Sequence, residues 1–154
     1  RQPVVHTIDG KKFFIGHGDG LGPGDHGYKF IKRVFDNKVC QWLFRWLHPD
    51  LGIWLMQFFS AKSRQYTGDE APFSDPNKEW LVQFTEDHEK LESHDFYIFG
   101  HRHLPIDYTL SNGKSRYINL GEWMYASSYG VWDGHSFELK FYESSLTKIY
   151  GNGK

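Results

Sequence analysis

Two apolar periods alternate along the chain. Val4 to Ile8 and Lys12 to Ile15 are rich in β-branched and aromatic residues and flank Asp9-Gly10. Asp-Gly supplies the positive φ angles of a tight turn, so the two runs predict a β-hairpin. The second strand runs straight into Gly16-His17-Gly18-Asp19-Gly20, and the glycine-rich stretch continues to Gly27. From Tyr28 to Asn37 the period lengthens, with Phe30, Ile31, Val34 and Phe35 at helical spacing. Val39 to Leu47 and Leu51 to Phe59 predict two more helices, punctuated by His48-Pro49-Asp50. Ser63 to Asn77 is polar, carries Gly68, Pro72 and Pro76, and predicts a loop. Pro76-Asn77-Lys78 then opens a helix bearing Trp80, Leu81, Phe84 and Leu91.

Strands dominate the rest. Asp95 to Phe99 predicts a short buried strand that ends, like the second one, in glycine and histidine: Gly100-His101-Arg102-His103. Ile106 to Leu110, Arg116 to Leu120, Ser128 to Trp132 and Phe137 to Tyr142 predict further strands, with turns at Asn112-Gly113 and Asp133-Gly134. The mixture predicts an α/β or α+β fold. There is no internal repeat, and no segment is long and apolar enough to predict a transmembrane helix.

At 154 residues the chain suits one domain, residues 1–154. A net charge of -1 with 24% charged residues excludes an acidic or basic disordered tail and gives no global case for nucleic-acid binding. Aromatics reach 18%, enough for a sizeable core. The lone Cys40 excludes an internal disulfide framework and fits a reducing compartment. The start, Arg1-Gln2-Pro3, has neither an apolar leader run nor an initiator methionine, which predicts a piece of something longer.

The near-neutral total hides an asymmetry. Tyr28 to Arg64 holds seven basic and two acidic residues, a balance of +5, and the remainder is -6. The same segment carries Trp42, Trp46 and Trp54 among many aliphatic and phenyl side chains. One reading is an aromatic core under a solvated basic face. The other is a lipid-facing set of helices, with tryptophans at a water–membrane boundary and Lys29, Lys32, Arg33, Lys38 and Arg45 meeting phosphates or anionic headgroups. The density of aromatics favours the second reading. Nucleic-acid binding is a third, with no module to support it.

The candidate chemistry lies at two strand ends. A glycine before each histidine lets the chain turn sharply and admits close approach. In an extended segment His101 and His103 point the same way, so both can face one metal ion. Neutral imidazole suits Mn, Zn and Fe alike. Asp19 either orients His17 through a hydrogen bond or caps its own turn. His6, His26, His48, His88, His94 and His135 read by default as surface or core residues.

Gly16-His17-Gly18-Asp19 followed by Gly100-His101-Arg102-His103 resembles the second half of a calcineurin-like metallophosphoesterase. More narrowly, the stretch from His17 to Tyr28, the aromatic helices after it, Ser63-Arg64 and Asn119-Leu120-Gly121-Glu122-Trp123 resemble the UDP-2,3-diacylglucosamine pyrophosphohydrolases of lipid A biosynthesis. The resemblance runs from about Val4 to Tyr142. It implies a four-layer metallophosphoesterase β-sandwich flanked by helices, of which this chain is the carboxy-terminal half, with a helical lid inserted at about residues 28–64. The implied reaction splits the pyrophosphate of UDP-2,3-diacylglucosamine into UMP and 2,3-diacylglucosamine 1-phosphate (lipid X). Two divalent ions, typically Mn, activate the attacking hydroxide.

By resemblance His17 and His101 ligate one ion and His103 the other, with His101 also near the phosphate as a catalytic residue. Asp25 meets the glucosamine, Ser63 is a further polar substrate contact, and the lid takes the acyl chains. The implied location is cytoplasmic, peripheral to the inner membrane. The family pattern also needs an Asp-Xaa-His, a bridging aspartate in a Gly-Asp motif and a Gly-Asn-His-Asp/Glu motif ahead of the first histidine motif. None is present, so this chain alone is expected to lack activity until the other half of the fold completes it. Two alternatives stay open: another phosphoesterase on the same scaffold, acting on a nucleotide or phosphoprotein, and a non-catalytic lipid- or membrane-binding piece with structural histidines.

Overall fold

A computed structural model describes residues 2–21, 26–67, 73, 75–124, 126–142 and 148–151. They fall into two compact units. Residues 24–71 form one, and the flanking stretches 1–23 and 72–154 form the other.

The flanking unit is mixed α/β. Its main sheet contains β1 (Val4–Ile8), β2 (Lys11–Gly16), β3 (Phe96–Phe99), β4 (Pro105–Thr109), β5 (Arg116–Leu120) and β8 (Tyr150–Gly151), in the order β1-β2-β3-β5-β4-β8. A second, two-stranded sheet pairs β6 (Ser128–Trp132) with β7 (Phe137–Phe141). The predicted hairpin is present, and both Asp9 and Gly10 take positive φ, as the twist of the paired strands requires. At the centre β2, β3 and β5 run parallel.

Both faces of those central strands are covered, which is why β3 reads as an unbroken apolar run. Phe14, Tyr97, Phe99 and Tyr117 pack on Leu81 and Val82 of a helix, Trp80–Leu91. Their sequence neighbours Phe13, Phe96, Ile98 and Ile118 pack on Phe137 and Leu139 of β7. Below the helix, the Tyr97 hydroxyl donates to Glu89 at 2.6 Å, and His94 is fully buried beside it. His94 is therefore a core residue, and the half-buried His88 packs against it. Leu91, assigned to the helix's apolar face, is exposed. Strand β8 has only two residues and left no readable pattern.

Asp95 fixes the central register. Its carboxylate accepts from Lys11 Nζ at 2.8 Å and from the Lys12 N–H at 2.9 Å. Its own N–H donates to Lys12 O, and its carbonyl accepts from the Arg116 N–H, each at 3.0 Å. One residue thus joins the beginnings of three parallel strands. Arg116 links the layers: its guanidinium pairs with Asp107 on β4, donates to Phe137 O at 2.9 Å and lies over the Phe96 ring.

The unit formed by residues 24–71 contains three helices, α1 (His26–Asp36), α2 (Lys38–Phe44) and α3 (Pro49–Thr67). The Trp80–Leu91 helix is α4, preceded by a 3-10 turn at Pro76–Lys78. Asn37 caps α2, its side chain accepting from the Val39 and Cys40 N–H groups. Proline opens α3 with Asp50 in the first turn. Helix α2 stops at Phe44, short of the predicted Leu47. Helix α3 runs on to Thr67, so Ser63 to Thr67 are helical where a loop was predicted. No helix breaker stands between Gly52 and Gly68, and polarity alone does not end a helix. The tryptophans are not core: Trp42, Trp46 and Trp54 are 55%, 76% and 58% exposed, and Phe30, Phe58 and Phe59 are exposed as well. Among the described residues no helix is long and apolar enough to cross a membrane.

Leu81 is fully buried between α4 and the sheet. Leu81→Ala is expected to cost about 2–5 kcal/mol, read by urea unfolding. A loss under about 1 kcal/mol would mean that the α4–sheet contact is not cooperative with the rest. Asp95 gives a pH-dependent prediction. Burial alone would raise its carboxyl, but the hydrogen bonds from Lys11 and Lys12 hold it below the ordinary value. Such a group adds stability that is present above its unfolded pKa of about 3.9 and is lost as pH falls through the lower folded value. Asp95→Asn is expected to cost about 1–2 kcal/mol at neutral pH, with the gap to wild type closing below about pH 4. A gap unchanged by acid would show that the charge of Asp95 contributes nothing.

Candidate active site

Parallel register brings the two histidine motifs together. Gly16 at the end of β2 pairs with Phe99 at the end of β3, and Phe99 pairs with Asn119 near the end of β5. The turns that follow β2 and β3 therefore leave the same edge of the sheet, where open α/β sheets place their sites. The His17 and His101 rings meet edge to face, with centroids 5.4 Å apart. The Gly100 N–H donates to His17 O at 3.1 Å and ties one turn to the other. At a nitrogen–metal distance of about 2.1 Å, two imidazoles sharing one ion have centres on the order of 5 Å apart. The pair fits that arrangement.

Conformation bears on the glycines differently from the sequence expectation. A β-carbon at Gly100 would meet His17 Nδ1 at 3.4 Å, an ordinary contact. The position that demands glycine is Gly18, with φ +105 and Leu81 methyls 3.2 Å from where a β-carbon would be. Asp19 follows in the turn, half-buried.

The extended Gly-His-Xaa-His segment is not found. His101 and His103 both take left-handed backbone, at φ +65 and +41, so strand alternation does not set their directions. His103 is exposed. Among the described residues no group of three or more His, Cys, Asp or Glu side chains stands ready to hold an ion. The structure brings His17 and His101 together, and among the described residues no third such side chain completes a metal-holding group with them. Asp25 lies outside the described residues, and Ser63 falls in α3, where only its backbone is described.

The surroundings of His101 were not legible in the sequence. Its ring lies edge-on to Trp80, 5.6 Å between centroids, on the first residue of α4. The next residue, Arg102, pairs with Glu79 at 3.0 Å, with side chains only 13% and 6% exposed. Burial pushes the Glu79 carboxyl up, and Arg102 beside it opposes that shift. Asn119, fully buried, donates from Nδ2 to Gly100 O and accepts the Gly121 N–H at 3.1 Å. Tyr117, two residues before Asn119, is buried too, and burial followed by the Glu79 charge raises its phenol. An arginine between two histidines was the one signal that a buried acid should lie nearby.

No protein-family model matches the chain. Curated relatives do. The UDP-2,3-diacylglucosamine hydrolase of Porphyromonas gingivalis is 34% identical over 91% of this chain and 58% of its own length. Those of Serratia proteamaculans and Aeromonas hydrophila are 32% and 30% identical over 79% of this chain and 50% of their own lengths. The chain spans about half the length of the curated relatives it matches. Over about half of those relatives' length, this similarity supports the family of the UDP-2,3-diacylglucosamine hydrolases that the strand-end histidine motifs implied.

Proposed function

We propose that the intact protein carrying this chain hydrolyses UDP-2,3-diacylglucosamine at its pyrophosphate, giving UMP and 2,3-diacylglucosamine 1-phosphate in lipid A biosynthesis. The observation that carries the reading is the meeting of His17 and His101 at adjoining strand ends, in a chain that aligns along 91% of its length with a relative named for that substrate. In this reading the two sheets and α4 are part of a four-layer sandwich whose remainder lies in the half of the relatives' length that this chain does not match.

His17 and His101 would hold one divalent ion and His103 a second. Mn is the proposed metal. When bound, the ions supply Lewis-acid polarisation of the phosphoryl oxygens and an activated nucleophile. Three histidines offer no negative charge to offset two dications held close together, so carboxylate ligands must come from the unmatched half. Asp19 would orient His17, and His101 would also meet the phosphate. Asp25 and Ser63 would contact the sugar part of the lipid.

Helices α1 to α3 would receive the acyl chains. Their exposed tryptophan and phenylalanine rings support this, because a surface rich in large apolar side chains marks a binding surface. Each methylene withdrawn from water there contributes about 0.8 kcal/mol. The basic residues of the same unit would face anionic headgroups and hold the protein at the cytoplasmic side of the inner membrane. A non-catalytic lipid-binding role is the second reading, favoured by the absence of a third ligand among the described residues.

His17→Ala and His101→Ala are each expected to lower Mn-dependent turnover of UDP-2,3-diacylglucosamine by more than the roughly 10–100-fold typical of outer-sphere changes. Retained turnover would remove both histidines from the site. Liposome binding that falls with salt, with no metal-dependent turnover by wild type, would establish the second reading instead. Trp46→Ala and Trp54→Ala are expected to raise KM for the diacyl substrate and to leave hydrolysis of a soluble phosphodiester unchanged. Equal effects on both substrates would place the acyl chains elsewhere.

A further inference from the structure

We propose that Glu79 and Trp80, at the start of α4, are positioning residues that hold the His101 turn against His17. The proposal rests on the hydrolase reading of those two histidines. Adjacent helix residues grip adjacent loop residues: Glu79 pairs with Arg102, and Trp80 lies edge-on to His101. His101 thus has two aromatic ring neighbours, Trp80 at 5.6 Å and His17 at 5.4 Å.

The backbone explains why such a grip is needed. His101 and His103 sit in the left-handed region, which residues other than glycine hold only where their surroundings over-determine it. Asn119 secures the preceding residue through Gly100 O, and the Arg102 N–H donates to the same carbonyl at 2.7 Å. What remains is the side-chain direction beyond Gly100, and Glu79 and Trp80 are among the groups that meet it.

A buried ion pair is weak evidence for stability, because desolvating two charges offsets their attraction. It restrains the loop, however, because moving either partner away would leave the other charge buried and unpaired. The chain places this pair beside the candidate ligands, 13% and 6% exposed, rather than at the surface. Geometry is what it contributes there.

The test uses the intact protein labelled at its histidine rings and read by NMR without metal or substrate. The reporter is the cross-peak between the His17 and His101 rings. The control is the ring of His94, buried among Phe14 and Tyr97. Glu79→Gln keeps the shape and removes the charge, and Trp80→Leu removes the ring. Each is expected to abolish the His17–His101 cross-peak and shift the His101 ring resonances, with His94 unmoved. Arg102→Lys, which keeps the charge, is expected to retain the cross-peak. In the metal-loaded intact protein, Glu79→Gln should lower kcat by roughly 10–100-fold with KM for the lipid little changed.

A cross-peak that survives both Glu79→Gln and Trp80→Leu overturns the proposal. Should Glu79→Gln disturb His94 as well, Trp80→Leu decides alone, by loss or survival of the same cross-peak. The two readings fail separately. An inactive His101→Ala beside a ring contact intact in both Glu79→Gln and Trp80→Leu sinks the positioning role and leaves the hydrolase standing. A lost contact with undiminished turnover does the reverse.

Discussion

The parallel alignment of β2, β3 and β5 is the constraint from which the site follows. Strands that start level end level, and Asp95 sets the start by binding Lys11, Lys12 and Arg116 at once. Four residues further along β3 the chain leaves the sheet as a turn, and so does β2 beside it. Two histidines distant in sequence are thereby brought to neighbouring strand ends, where the bond from Gly100 to His17 O ties their turns together. A slip of one residue would exchange the two faces of β3 and present Phe96 and Ile98 to α4 in place of Tyr97 and Phe99. Because both faces are packed, the core itself guards the register.

Much of the flanking unit was legible in the sequence because its elements are locally encoded. Asp9-Gly10 fixes a turn that needs two positive φ angles, and strands with one or two buried faces reveal themselves by period or by unbroken apolarity. Helix α3 was read too short because its last turns are polar on every side, and polarity was mistaken for a loop. The turn after β3 was misread for another reason. Its left-handed residues are histidines, not glycines, so their conformation is imposed from outside by Asn119 and the start of α4. Tertiary imposition of that kind leaves no local trace. The histidines themselves were visible, whereas Glu79 and Trp80, which surround one of them, were not.

The helical unit shows the limit of composition as a guide to burial. An aromatic share of 18% suggested a large core, yet Trp42, Trp46 and Trp54 of the helical unit are exposed. The interior is built instead largely from phenylalanine, tyrosine and isoleucine on the three central strands, sorted by strand alternation onto two faces. The same residue class thus serves two ends in one chain, and only placement separates them. Charge follows the same division, with the basic excess confined to the helical unit and the acidic excess outside it.

The pairing of β2 with β3 also sets a clock. Lys11 and Asp95, which bond across it, are 84 residues apart. During synthesis the β1–β2 hairpin emerges well before its partner strand exists. At about 5–20 residues per second, Phe13 and Phe14 wait roughly 4–17 seconds with neither face covered. Over that interval the free edge of β2 is a template for any other strand, including that of a second nascent chain. The lysines at positions 11 and 12 flank the apolar run and keep that edge charged while it waits.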